Sequence, residues 1–160
     1  MRRSILILVG CLLLVGAMVM ASDPGPWFDL KNCEFCNKLA AQPGLIEHMN
    51  HEYHMLHNGM MSITHIDKEF QPAFTKVQEA MRPVVVNLQA GKQVTTCRHC
   101  STLGSLYMGG VMPDDIKTGD NIIVVYTSND TTMVKKIQEF GKNSAEALAA
   151  MAAEKKDAAK

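Results

Sequence analysis

Hydrophobic and polar positions change period along this chain, and the changes mark its elements. Ile5 to Val19 is almost wholly apolar, stands behind Arg2-Arg3 and runs into Val19-Met20-Ala21. A spanning helix needs roughly 18–20 apolar residues, and this run is shorter. Polar Ser22-Asp23-Pro24-Gly25-Pro26 follows. A positive start, an apolar middle and small residues at the end predict a cleavable export signal, residues 1–21, cut after Ala21. Two alternatives stand beside it. One is an uncleaved anchor. The other is a lipoprotein with Leu8-Val9-Gly10-Cys11 as lipobox, which would leave Leu12 to Ala21 as an apolar run on the mature chain.

From Ser22 to Leu30 the chain is rich in Pro and Gly, with Trp27 and Phe28 available to dock on a core. Phe35, Leu39 and Ala40 then follow helical spacing, with Asn32 as the cap and Pro43-Gly44 as the stop. The next stretch predicts a hairpin of roughly residues 50–66, because Asn58-Gly59 suits a type I′ turn. The competing reading is a helix with Leu45, Met49, Tyr53 and Leu56 on one face, ended by Gly59 and followed by a single strand. Asp67 caps a predicted amphipathic helix to Gln89, carrying Phe70, Phe74, Val77 and Met81 on one face. Pro72 sits early in it, and Pro83 is expected to kink it.

The second half repeats the plan. Thr95-Thr96 precede Cys97, Leu103, Leu106 and Tyr107 continue a helix, and Gly109-Gly110 breaks it. Val111 to Lys117 reads as a weak strand and Thr118-Gly119-Asp120 as a turn. Asn121 to Thr127 reads as a strong strand, and Asn129 or Asp130 caps a last helix with Met133, Val134, Ile137 and Phe140. Lys76-Val77-Gln78-Glu79 and Lys136-Ile137-Gln138-Glu139 match at an offset of 60, and the CxxC pairs at 64. The fold expected is therefore α+β: duplicated αββα units forming a four-stranded antiparallel sheet packed with helices. It fills one domain, residues 22–145, with pseudo-repeats at about 31–91 and 95–145. Residues 146–160 form an Ala/Lys-rich tail that can extend the helix, with its end expected to fray.

Charge narrows the partners. The 160 residues carry 16 basic and 16 acidic groups. A balanced chain is no candidate for non-specific nucleic-acid binding. Loss of the signal leaves it slightly acidic, with no stable membrane insertion expected. Secreted or periplasmic is the expected location.

Signal cleavage also removes Cys11. The four remaining cysteines form Cys33-Glu34-Phe35-Cys36 and Cys97-Arg98-His99-Cys100. Three chemistries fit them. Two CxxC pairs meeting in space make a four-thiolate site for zinc or copper, in which His99 could replace one ligand. In an oxidising compartment the same pairs suit disulfides, within each motif or across the halves. A CxxC at a helix start also suits thiol–disulfide exchange, although the βαβ context of that chemistry is missing. Haem attachment requires CxxCH, but Asn37 and Ser101 follow the motifs.

Five of the six histidines lie between His48 and His65, interleaved with methionines. Imidazole and thioether donors together suit copper, and imidazole alone suits zinc or nickel. HExxH is absent, because Met55 stands where its second histidine belongs. A hairpin turning on Asn58-Gly59 pairs Glu52 with His65 and His54 with Ile63. Glu52, His54 and His65 are thus the expected local ligands. The plainer reading makes these histidines an exposed face and the methionines core filling. Phosphate loops and nucleophile elbows are absent. The sequence therefore reads as an exported, non-enzymatic metal-binding module whose partner is the ion. A disulfide-stapled interaction domain is the alternative, and a thiol–disulfide oxidoreductase the third reading.

Overall fold

The computed structural model describes residues 25–158, so the expected signal segment lies outside the described residues. Its elements run α1 (Cys36–Ala40), β1 (Met49–Leu56), β2 (Gly59–Ile66), α2 (Gln71–Gln89), α3 (Arg98–Met108), β3 (Asp114–Thr118), β4 (Asn121–Thr127) and α4 (Thr131–Ala158). Short 3-10 turns, Leu45–His48 and Lys68–Phe70, lead into β1 and α2. The strands form one antiparallel sheet in the order β1-β2-β4-β3. The fold is α+β, with helices packed on the sheet.

Alternation along β2 sets the buried face. Met60, Ser62, Thr64 and Ile66 are buried, and the residues between them are not. α4 lies across β1 and β2 and touches α3. Its Ile137 and Phe140 pack with Met60, Leu106, Val111 and Tyr126 in one cluster. A second cluster holds Leu45, Ile66 and Val77, against which Phe70, Phe74 and Met81 of the α2 region pack. Each fully buried aliphatic side chain contributes roughly 1.5–3 kcal/mol. The opposite sheet face carries Glu52, His54, Met61, Ile63 and His65, all at least partly exposed.

The hairpin forms, but its turn differs from expectation. Leu56 pairs with Gly59, so His57 and Asn58 make the loop. Among the described residues no residue other than glycine has positive φ, and Gly59 does not either, so the turn is not type I′. Gly59 is needed for another reason. A Cβ there would stand 1.9 Å from the Tyr126 carbonyl oxygen on β4. Gly59→Ala is expected to cost about 1–3 kcal/mol through forced separation of β2 from β4. A lowered urea midpoint with an unchanged slope checks this.

Helix starts also differ in part. α1 has no side-chain cap, and Asn32 instead closes a turn on Asp29. α3 has Cys97 at its N-cap position, with no side-chain cap bond. Asp130 does cap α4, its carboxylate accepting the backbone N–H groups of Thr132 and Met133 at 2.7 and 2.9 Å. Those bonds hold the Asp130 carboxyl below its usual range. α2 continues through Pro83. α4 runs unbroken to Ala158, so the helix extends into the Ala/Lys-rich tail.

Candidate metal centre

The two CxxC motifs come together although they lie 64 positions apart in the sequence. A short clamp does this. Glu34 N–H donates to the Thr95 carbonyl at 2.9 Å, and Thr95 N–H donates back to the Glu34 carboxylate at 2.9 Å. His99 N–H donates to the Trp27 carbonyl at 2.9 Å. On the first motif, the Asp29 carboxylate accepts from the backbone of Lys31 and Asn32. Those bonds, that from Asn32 first, lower its pKa. The turn so formed delivers Cys33. Cys36 N–H then points at the Cys33 sulfur, 3.5 Å away.

Four sulfurs converge. Cys33 and Cys100 Sγ are 3.6 Å apart, Cys36 and Cys97 3.6 Å, and Cys36 and Cys100 3.7 Å. All four lie within 4.8 Å of one another. Each of these cysteines is free, so no disulfide forms among them. Cys33, Cys36 and Cys97 are buried beside Leu30 and Phe35, and Cys100 is partly exposed. Among the described residues this is the group of three or more His, Cys, Asp and Glu whose donor atoms converge closely enough to hold a metal ion.

The electrostatics follow from the crowding. Hydrogen bonds from Cys100 and then Cys36 push the Cys97 thiol pKa down. Cys100 is pushed up by its bonds to Cys36 and Cys97 and by burial. Cys36 is lowered by its contact with Cys100, but Cys97, burial and the neighbouring charges outweigh this and raise it. Burial disfavours several thiolates side by side. A cation at their centre would let all four ionise.

His99 lies within the second motif but turns away from the sulfurs. Its Nε2 hydrogen-bonds the Tyr53 hydroxyl at 3.2 Å, and its ring sits 4.7 Å from Phe28 and 4.9 Å from Phe140. Burial lowers its pKa to about 4. His99 therefore joins the cysteine knuckle to the sheet instead of replacing a ligand. Trp27 completes this contact, its indole N–H donating to Ser144 Oγ at 3.1 Å. Neither Tyr53 nor Trp27 stood out as a site residue in the sequence. The one hint was that Trp27 is the only tryptophan, close before a CxxC.

Glu52, His54 and His65 share a sheet face as expected, but in a different register. Glu52 pairs with Ile63, His54 with Met61 and His65 with Asn50. The two-residue slip follows from the turn lying at His57-Asn58. His54 Nε2 contacts the Glu52 carboxylate at 3.2 Å. His65 instead contacts Asn121 and Asp67. The three expected ligands thus belong to two separate groups. His51 is on the other face, where its Nδ1 shares a 2.7 Å hydrogen bond with Thr64 and burial lowers its pKa to about 4.

Among the described residues no helix is long and apolar enough to cross a membrane. No protein-family model, curated protein or solved structure matches the chain.

Proposed function

We propose that this chain is an exported, non-enzymatic metal-binding module in which Cys33, Cys36, Cys97 and Cys100 hold one zinc ion as a structural staple. One observation carries the reading. Zinc–thiolate bonds of about 2.3 Å arranged as a tetrahedron put neighbouring sulfurs about 3.8 Å apart. The three sulfur contacts measure 3.6, 3.6 and 3.7 Å. A closed four-sulfur set leaves no open position, which suits a structural ion and not a catalytic one. Copper is the alternative ion, because thiolates also suit it. Export rests on residues 1–21 of the sequence, with a secreted or periplasmic destination.

The same reading includes an internal duplication. The helix–strand–strand–helix order occurs twice. The hairpin turns His57-Asn58 and Gly119-Asp120 lie 62 positions apart, and Ser62 pairs directly with Val124, its counterpart at that offset. Each half supplies one CxxC, so the ion would join the halves.

Cobalt substitution tests the site. Apo protein loaded with one equivalent of Co²⁺ should show strong thiolate-to-metal absorption and tetrahedral d–d bands. Weak octahedral-type absorption alone would contradict the four-thiolate site.

A disulfide-stapled domain is the second reading. The pairs Cys33–Cys100 and Cys36–Cys97 are disjoint and equally close, at 3.6 Å. Closing them needs an approach to about 2.05 Å. Disulfide exchange fits less well. The leading cysteines Cys33 and Cys97 are only 1% and 6% exposed, out of reach of a protein substrate.

A further inference from the structure

A different histidine group, on the far side of the hairpin from its turn, has the layout of an open cation site. His65 is next to last in β2, Asp67 lies just beyond that strand, Asn121 begins β4, and His48 precedes β1. Asp67 N–H donates to the His48 carbonyl at 3.1 Å, which fixes the corner.

Proton placement decides what this corner can do. An amide oxygen cannot donate. The 3.0 Å contact of His65 Nδ1 with Asn121 Oδ1 therefore puts the ring proton on Nδ1. In the neutral ring Nε2 then keeps its lone pair. That nitrogen faces Asp67 Oδ1 at 3.5 Å, beyond the 2.7–3.2 Å range of a good N–H···O bond. In that neutral form two lone pairs would face each other, an arrangement that a cation between them would relieve. The other Asp67 oxygen is tied from behind, since His48 Nδ1–H donates to Oδ2 at 2.7 Å. His48 is itself stacked on Phe70, ring centroids 4.0 Å apart.

The geometry points to a second metal site, in which His65 Nε2 and Asp67 Oδ1 bind a divalent first-row ion such as Zn²⁺ or Cu²⁺. Bonds of about 2.0–2.1 Å in a tetrahedral arrangement separate an N and an O ligand by about 3.4 Å. The observed gap is 3.5 Å. Imidazole and carboxylate donors select such ions. Asn121 and His48 act from behind as outer partners, the arrangement that orients metal-ligating histidine and carboxylate. Both ligands are about half exposed, 45% and 46%, so water fills the remaining positions. With two protein ligands the site is weak and exchangeable, in contrast to the buried thiolates. It is built from other residues and stands whether or not the cysteines hold zinc.

Zinc titration, followed by NMR of the histidine rings, tests it. The protein is first loaded with one equivalent of zinc, and cysteine Cβ signals report the thiolate site separately. A further saturable shift confined to His65 and His48, with His54 and His57 unmoved, is expected. Asn121→Ala should weaken this event about 10-fold or more, and His65→Ala should abolish it. Cys97→Ser should leave it intact. An equal response of His54, or no effect of Asn121→Ala, would overturn the site. So would a His65 ring carrying both protons at neutral pH, because a simple ion pair with Asp67 then explains the contact.

Discussion

Stripping the metal from the reduced protein with a chelator is expected to lower its melting temperature by about 15 °C. The proposed ion would tie the two CxxC motifs together across the fold. Structural zinc contributes about 10–16 kcal/mol of apparent binding energy in small domains that are unfolded without it. Here two apolar clusters away from the cysteines persist, around Met60 and around Leu45. Only part of the binding energy is therefore drawn on before the chain unfolds, about 5 kcal/mol. A domain of this size shifts by about 3 °C per kcal/mol. Cys36→Ser should give a similar drop, after which a chelator should do little more. Differential scanning calorimetry of both proteins, with and without chelator, measures it. A fall caused by reductant but not by chelator would instead favour disulfides.

Phe140→Ala should destabilise the protein by about 3–5 kcal/mol, the range for deleting a buried aromatic ring. Phe140 is 2% exposed and lies beside Ile137, which is fully buried. Its ring also walls in His99 at 4.9 Å and meets Trp27 at 6.0 Å. The cavity should therefore loosen the knuckle that carries Cys97 and Cys100. A chelator is expected to remove zinc faster from this variant than from the wild type. Val86→Ala on α2 gives the comparison. Val86 is 61% exposed, so its loss should stay within about 0.5 kcal/mol. Denaturant midpoints and the rate of zinc release check both expectations.

Local chemistry explains what was legible in the sequence. Asn121 to Thr127 reads as a strand because β-branched residues crowd it, and it is β4. Asp130 reads as a cap because its carboxylate reaches the first free N–H groups of α4. Two CxxC motifs in one short chain suggested a common site, and their sulfurs do meet. Tertiary contacts decided the rest. Asn58-Gly59 looked like a turn needing positive φ, whereas Gly59 is required because the Tyr126 carbonyl leaves no room for a Cβ. A clash with a backbone carbonyl 67 positions away is invisible to a local turn rule. The slipped turn then moved His65 from Glu52 to Asn50, and a ligand set drawn from hairpin spacing came apart. His99 offered two directions within its motif, and only the Tyr53 hydroxyl, from a distant strand, fixed one.

Intact mass of the chain lacking residues 1–21 decides whether four thiolates share one ion, measured native and denatured after thiol blocking that is repeated once the chain is unfolded. A native mass heavier by one zinc and a denatured mass carrying four blocking groups are expected. A denatured mass four hydrogens light, without label and without metal in the native spectrum, would contradict the shared ion. The cysteines would then be two disulfides.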